Sequence, residues 1–285
     1  MSLLRRSKEN ELVNLQNGFS DDHRYSLELS DEELKRYRWM ATTAVESEGE
    51  MWHAAGLQAG ARVVEIGCGP GAILRELAQI VGESGTAVGV DADPLAVSMA
   101  QQELRGFDHA DVRLGLAAKS GLVPESFDVV MCRHVLAHNR KDEGERILAH
   151  LVSLLVPGGC LYLVDVDYDA FRYSHSEPDL NDLEEHYIKF QRARGSNLSV
   201  GLQLGDLLRA NGLEVERYIC GGPVQQLPLG VRFPGWAARE AMMAEGFATS
   251  SDIERWNAAF VRQEALGQGP LFFPLGLCIA FGRRV

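Results

Sequence analysis

From residue 61 to about residue 165 the chain alternates short apolar runs with longer runs whose apolar residues recur at helical spacing. Such alternation leaves little choice of architecture, because strand followed by helix closes into a parallel sheet with crossover helices packed on its faces. Five strand-like runs can be read: Arg62–Ile66, Thr86–Asp91, 111–114, 127–132 and 160–165. Between them Ala72–Val81, 94–105 and 143–155 carry the helical spacing. Asp93-Pro94 is a capping residue followed by a first-turn proline, and Pro157-Gly158-Gly159 predicts a turn into the fifth strand.

After residue 166 the pattern changes. A polar, aromatic segment at 168–197 contains a helix, and a helix at 202–210, a strand at 213–219, a helical stretch at 234–268 and a last strand at 275–282 follow. The expectation is an α/β fold with a seven-stranded, mostly parallel sheet and helices on both faces. Residues 1–55, with the helical run Asp31–Ala54, stand outside the alternating units as an N-terminal helical arm. Residues 56–285 form the sheet domain, with a cap inserted at about 167–200 and a helical connection at about 232–268. Arm and cap are expected over the carboxyl ends of the strands, where open α/β sheets bind ligands. The arm also offers a means of pairing two copies of the chain.

Composition narrows the function classes. The 285 residues are 46% hydrophobic and 24% charged, enough to bury a substantial core. A formal net charge of −12 argues against a broad phosphate-binding surface, so no nucleic acid partner is expected. The local basic clusters Lys35, Arg36, Arg38 and Lys189, Arg192, Arg194 read as solvated helix faces. No apolar run is long enough to cross a bilayer, and residues 1–12 lack the apolar core of a secretory signal. These features point to a soluble cytoplasmic protein with no membrane partner. Cys68, Cys132, Cys160, Cys220 and Cys278 show no paired metal-ligand spacing and are expected as buried or loop thiols. No metal site is expected, although Asp165, Asp167 and Asp169 could hold an ion weakly.

The run Val63-Val64-Glu65-Ile66-Gly67-Cys68-Gly69-Pro70-Gly71 places a glycine-rich turn between a buried strand and a helix, where a ligand can approach backbone closely. Gly67, Gly69 and Ala72 also satisfy the dinucleotide pattern G-x-G-x-x-A, so a nicotinamide or flavin oxidoreductase stays open at this point. Asp91 ends the second strand, where its carboxylate can accept both hydroxyls of a ribose, which marks a nucleoside without saying which. Glu65 is more telling. An acid inside an apolar strand costs desolvation unless paired, and here it would face the glycine turn and an amino group.

With these residues the chain resembles the class I S-adenosylmethionine-dependent methyltransferases, over roughly residues 36–220 and the last strand. Glu65 to Gly71 is similar to the family's E-x-G-x-G-x-G motif and Val88 to Asp91 to its ribose-binding motif. Phe127-Asp128-Val129-Val130 with Arg133, Val135, Leu136 and His138 resembles the fourth-strand motif, and Leu155-x-Pro157-Gly158-Gly159-x-Leu161 the turn into the fifth. The resemblance implies a Rossmann-like fold and S-adenosyl-L-methionine as cofactor. Gly67, Cys68, Gly69 and Gly71 would hold its aminoacyl part with Glu65, Asp91 would take the ribose, and Ala92 would lie beside the adenine. The Asp that many relatives carry after the third strand is absent, and Gly115-Leu116-Ala117-Ala118 leaves the adenine to Leu116 and Ala117. Arg133 could reach the cofactor carboxylate or a substrate anion, or pair with Asp142 or Glu143. Arg38 resembles the arginine that relatives extend from the arm.

A sulfonium methyl is already activated, so the protein chiefly aligns an acceptor and excludes water. A base is needed only when the nucleophile arrives protonated. Catalytic candidates follow the fourth and fifth strands: His134 and His138, then Asp167 and Tyr168, with Asp165 a structural acid. Tyr25, Tyr37, Trp39, His175, His186 and Trp236 could line the cap. The expected function is methyl transfer to a small organic acceptor of the kind met in secondary metabolism. A protein that binds the cofactor without transferring its methyl, or that uses it in a rearrangement, stays open.

Overall fold

The structure, a computed structural model, describes residues 27–174 and 177–285; Tyr25 and His175 lie outside them. Ten strands run in chain order: β1 Arg62–Ile66, β2 Thr86–Asp91, β3 Ala110–Leu114, β4 Phe127–Arg133, β5 Leu155–Val166, β6 Arg172–Ser174, β7 Leu213–Cys220, β8 Gln225–Gln226, β9 Leu271–Phe273 and β10 Leu277–Arg284. The helices are α1 Asp31–Ala54, α2 Ala72–Val81, α3 Pro94–Glu103, α4 Lys141–Leu154, α5 Pro178–Ala193, α6 Leu204–Ala210, α7 Pro234–Ala237, α8 Arg239–Ala244 and α9 Ser250–Glu264. Seven strands form one sheet in the order β3-β2-β1-β4-β5-β10-β7. β1 pairs in parallel with β2 and β4, whereas β10 runs antiparallel to β5 and β7. Strand order reverses between β1 and β4, which opens a crevice at their carboxyl ends.

Alternation along the strands divides the core into two layers. Val64, Ile66, Val130, Cys132, Leu161 and Leu163 face Leu148 and Leu151 of α4 and Leu204 and Leu208 of α6. Val63, Val129, Met131, Tyr162 and Val164 face the other way, onto Ala44 and Trp52 of α1, Leu74 and Leu77 of α2 and Val97 and Ala100 of α3. A third apolar cluster gathers Leu180, Leu183, Tyr187 and Phe190 of α5 with Trp236, Met242, Trp256 and Phe260 of α7, α8 and α9. The caps follow local chemistry. Asp93 accepts from the amide of Leu95 at 2.8 Å ahead of Pro94, and Thr249 and Asp252 form a reciprocal capping box at the start of α9.

Four readings of the sequence need correction. Pro157-Gly158-Gly159 does not lead into a strand that starts at 160: β5 already pairs at Leu155 with Phe127, residues 156–159 bulge out, and pairing resumes at Cys160 with Val129. The helical stretch 234–268 is three helices, because the chain turns at Gly246 and α9 starts afresh at its capping box. A three-stranded antiparallel sheet, β6-β9-β8, stands where the sequence predicted only helix and loop, and its strands are too short to show a period. Lastly, Cys220 and Cys278 are joined in a disulfide and are not free thiols. The antiparallel register of β7 and β10 sets them directly opposite each other. Cys68, Cys132 and Cys160 are free and buried. Among the described residues no helix is long and apolar enough to cross a membrane.

Candidate active site

The crevice begins at the turn from β1 to α2. Gly67 has a φ of 79°, and a Cβ there would stand 2.3 Å from Val135 Cγ2, so the turn admits no side chain. Gly71 lets α2 pass α3, since its Cβ would lie 2.9 Å from the Cα of Ala100. The loop holds itself in shape. Gly67 and Cys68 donate to the carbonyl of Val90 at 2.7 and 3.1 Å, and Gly69 donates to Asp91 Oδ2 at 2.7 Å. Asp91 Oδ1 accepts from the amide of Asp93 at 2.9 Å. Burial raises the pKa of Asp91 and these amide bonds lower it. A carboxylate has further lone pairs, which leaves Asp91 able to receive a ribose while it braces the loop.

Glu65 lies on the neighbouring strand and is 3% exposed. Its Oε2 is buried without a hydrogen-bond partner among the described residues. Burial pushes its carboxyl up to about 8, Arg133 opposes that rise and Asp91 adds to it. An orphaned acid beside a glycine turn fits an ammonium group, which would supply both the missing donor and the missing charge. The residues present therefore suit S-adenosylmethionine, with Glu65 for the amino group and Asp91 for the ribose. Leu116 and Ala117 follow the end of β3, tied to the second strand by a 2.9 Å bond from Gly115 to the carbonyl of Asp91, and Ala92 lies exposed beside Asp91.

Two expected cofactor contacts are placed otherwise. Arg133 is buried and gives both ends of its guanidinium to Glu48 of α1, at 2.6 and 2.9 Å. It turns neither to Asp142 and Glu143, which pair with Arg146, nor to open solvent. Arg38 is exposed, because helical phase puts Glu33, Arg36, Tyr37, Ala41, Ala44 and Glu48 on the inner face of α1 and Arg38 on the outer one. Tyr37 takes the place foreseen for an arginine: its Cε1 stands 3.0 Å from where a Cβ of Gly69 would be, so its ring lies on the glycine loop.

Past the end of β4 several elements bring titratable and aromatic side chains together. His134 follows β4 with a φ of 54°, a conformation costly for a residue with a Cβ, and its amide extends the ladder to Val164 at 2.8 Å. Among the described residues no hydrogen bond holds its imidazole. Burial, then Arg133, Arg36 and His138, lower its pKa well below the usual histidine value. His138 is lowered to about 4 by burial, Arg36 and Arg194. Asp165 sets the turn that carries His138, accepting from the amides of Ala137 at 3.1 Å and Val166 at 2.9 Å. Burial raises its carboxyl to about 7 against those bonds.

Aromatic side chains pack together beside them. Tyr168 meets Tyr187 with ring centroids 5.6 Å apart and hydroxyls 3.5 Å apart, and meets Phe171 at 5.4 Å. Phe272 joins Phe171, Tyr173 and Trp39 at 5.4, 5.1 and 5.9 Å. Burial raises the phenol of Tyr168 far above its ordinary value, so it stays a donor. Arg36, paired with Glu33 at 2.8 Å, lies near enough to act on Tyr168, Tyr173, Tyr187 and both histidines. Sequence reasoning had Arg36 only as part of a solvated face, and its position one turn after an inward Glu33 was the available signal.

Three other candidates fall elsewhere. Asp167 accepts from Ser199 Oγ at 2.8 Å and acts on Tyr218 of β7, so it braces the cap loop and does not face the histidines. His186 bonds to the carbonyl of Asp182 at 2.8 Å and packs on Trp256. Trp236 is core to the helical cluster, stacked by Arg232 and Arg239.

Comparison with known proteins bears on the fold and the family of this domain. Residues 63–159 match the methyltransferase domain family. An arsenite methyltransferase of Aquipseudomonas alcaligenes is 36% identical over 125 residues, 41% of this chain and 36% of that protein. A ubiquinone biosynthesis O-methyltransferase of Pseudomonas entomophila is 27% identical over 165 residues, 56% of this chain and 68% of that protein. The match to an uncharacterized 37.1 kDa transposon protein of Streptomyces fradiae spans 47% of its length, so the chain covers less than half of this relative and of the arsenite methyltransferase. The YcgJ protein of Bacillus subtilis superimposes with a TM-score of 0.53 at 19% identity, covering 84% of this chain and 98% of that one. A SAM-dependent methyltransferase of Aquifex aeolicus gives 0.50 at 18%, covering 67% and 92%. Strand order, glycine loop and the match over residues 63–159 together identify a methyltransferase domain of the Rossmann-like, S-adenosylmethionine-dependent kind within the chain.

Proposed function

We propose that the protein transfers the methyl group of S-adenosylmethionine to a small organic acceptor, as an enzyme of secondary metabolism. The observation that carries this reading is the orphaned Glu65 carboxylate oxygen beside the glycine loop, together with an aromatic cluster to which α1 contributes Trp39 and α5 contributes Tyr187. S-adenosylmethionine supplies a methyl carbon already activated by its sulfonium. The chain's own residues then have three tasks. Glu65 and Asp91 hold the two ends of the cofactor. Tyr168, Phe171, Tyr187 and Phe272 exclude water and orient a flat or apolar acceptor. His134 and His138, both neutral at ordinary pH, offer a ring nitrogen to an acceptor that must lose a proton. Enclosure by arm and cap favours a small acceptor over a peptide, and the acidic net charge does not favour a nucleic acid.

Two measurements test this reading. Calorimetric titration should show binding of S-adenosylhomocysteine and none of NADH; the reverse preference would make the chain a dinucleotide enzyme. Incubation with methyl-labelled cofactor and a panel of phenols, carboxylates and amines should then yield labelled product. Tight cofactor binding with no transfer to any of them would favour a protein that retains the cofactor for another purpose.

A further inference from the structure

Two buried acids compete for one buried cation. Arg133, Met131, Glu65 and Tyr162 project from the same face of the sheet, because Glu65 is in register with Met131, Met131 with Tyr162, and Arg133 follows Met131 by one full pleat. Arg133 and Glu65 each feel the other's charge. Yet the guanidinium is turned to Glu48, which descends from α1 and receives it at 2.6 and 2.9 Å. Glu48 is itself pinned, taking a bond from the Tyr162 hydroxyl at 2.9 Å and one from Trp52 Nε1 at 3.2 Å. Glu48 and Glu65 are 1% and 3% exposed, so neither can find its counter-ion in solvent.

We propose that Glu48 is a positioning residue for the cofactor site: by binding both ends of the Arg133 guanidinium it withholds that cation from Glu65 and keeps the Glu65 carboxylate for a ligand ammonium. The proposal rests on the S-adenosylmethionine reading. It gives α1 a task beyond covering the crevice. Were Glu48 uncharged, Arg133 would hold an uncompensated buried charge and Glu65 would be the nearest acid to neutralise it, leaving an incoming ammonium to meet a cation in place of a free carboxylate. The groups that face Glu65 are Arg133 of β4, Asp91 of β2, Cys68 of the glycine loop and the Leu74 amide of α2, and Cys132 of β4 feels its charge from the other face of the sheet. The two thiols are buried with pKa values raised well above the ordinary one, so they stay neutral and Arg133 is the one cation of the set.

The test is the pH dependence of S-adenosylhomocysteine affinity, measured by calorimetry on the full chain and on two variants. Glu48→Gln should weaken binding about 10-fold near neutral pH and move the inflection of the binding profile down by roughly one unit or more, as an opposite charge freed toward Glu65 requires. The double variant Glu48→Met with Arg133→Met replaces the pair by apolar side chains, which folds tolerate, and should move the inflection up because Glu65 loses the cation altogether. Opposite displacements support the proposal. Inflections that coincide with that of the unchanged protein, in whichever variants fold, would overturn it and leave Glu48 a purely structural anchor. If the unchanged protein binds no S-adenosylhomocysteine, the cofactor reading itself falls and takes the proposal with it.

Discussion

At the scale of single residues the site depends on Glu65, an acid placed where the described residues leave one of its oxygens without a donor. Glu65 enters the ligand-free state largely protonated, held at about 8, and an ammonium ligand would ionise it. Binding therefore releases a proton, and affinity for S-adenosylhomocysteine should rise as pH climbs toward about 8 and then level off. Glu65→Gln should weaken binding by about 10- to 100-fold, the worth of one charge-assisted hydrogen bond, and flatten that rise. An unchanged titration curve in the variant would remove Glu65 from the cofactor site. His134 makes a separate prediction. Its φ of 54° suits glycine, so His134→Gly should keep the local backbone and cofactor affinity while turnover on an acceptor that must lose a proton falls about 100-fold. His138→Ala, measured beside it, separates the two rings, and whichever variant retains full turnover is excluded as the base.

At the scale of elements α1 matters most. Its inner face presents Arg36 to the histidines, Tyr37 to the glycine loop and Glu48 to Arg133, so one helix touches three parts of the candidate site. Tyr37→Ala should raise the dissociation rate of S-adenosylhomocysteine by roughly 5- to 10-fold, equivalent to about 1 kcal/mol of lost ring contact, with little change in the association rate; a stopped-flow displacement experiment reads both. The cap is built differently, from a salt-bridge lattice in which Arg255 holds Asp179, Asp182 and Asp252 and Arg262 holds Glu177 and Asp179. These pairs are partly exposed and each contributes little alone. The buried ring cluster of α5, α7, α8 and α9 carries the cap's stability.

For the whole molecule the buried titratable groups set the pH range of stability. Glu65, Asp165 and Glu184 sit at about 8, 7 and 7 against ordinary values of 4.5, 3.8 and 4.5, so across that window the folded chain keeps protons the unfolded chain has lost, and stability falls as pH rises. His138, at about 4 against 6.5, and His134 act oppositely, since between those values the unfolded chain binds protons that the folded chain refuses, and stability falls as pH drops. Above about pH 6.5 the histidine contribution is complete and the carboxyl trend remains. The melting temperature of the ligand-free protein should therefore be lower at about pH 8.5 than at about pH 6.5, and saturating S-adenosylhomocysteine should narrow the difference by ionising Glu65. A melting temperature that rises over this interval would contradict the assignment of these buried acids. The parallel sheet, the glycine turn and the placement of Glu65 and Asp91 could all be read from the chain, because each is encoded by neighbours: a period of apolar residues, a cap, a turn that admits no Cβ. An acid on an apolar strand announced Glu65, and the same signal was present in Glu48 on the inner face of α1. What no local pattern holds is which distant partner a side chain meets. The turn of Arg133 to Glu48, the gathering of Arg36 with two histidines and three tyrosines, the Cys220–Cys278 bridge and the small β6-β9-β8 sheet each join residues far apart in the chain. Helix phase, strand register and packing decided those contacts, since charge and ring geometry act through space and only the folded chain brings the partners within reach.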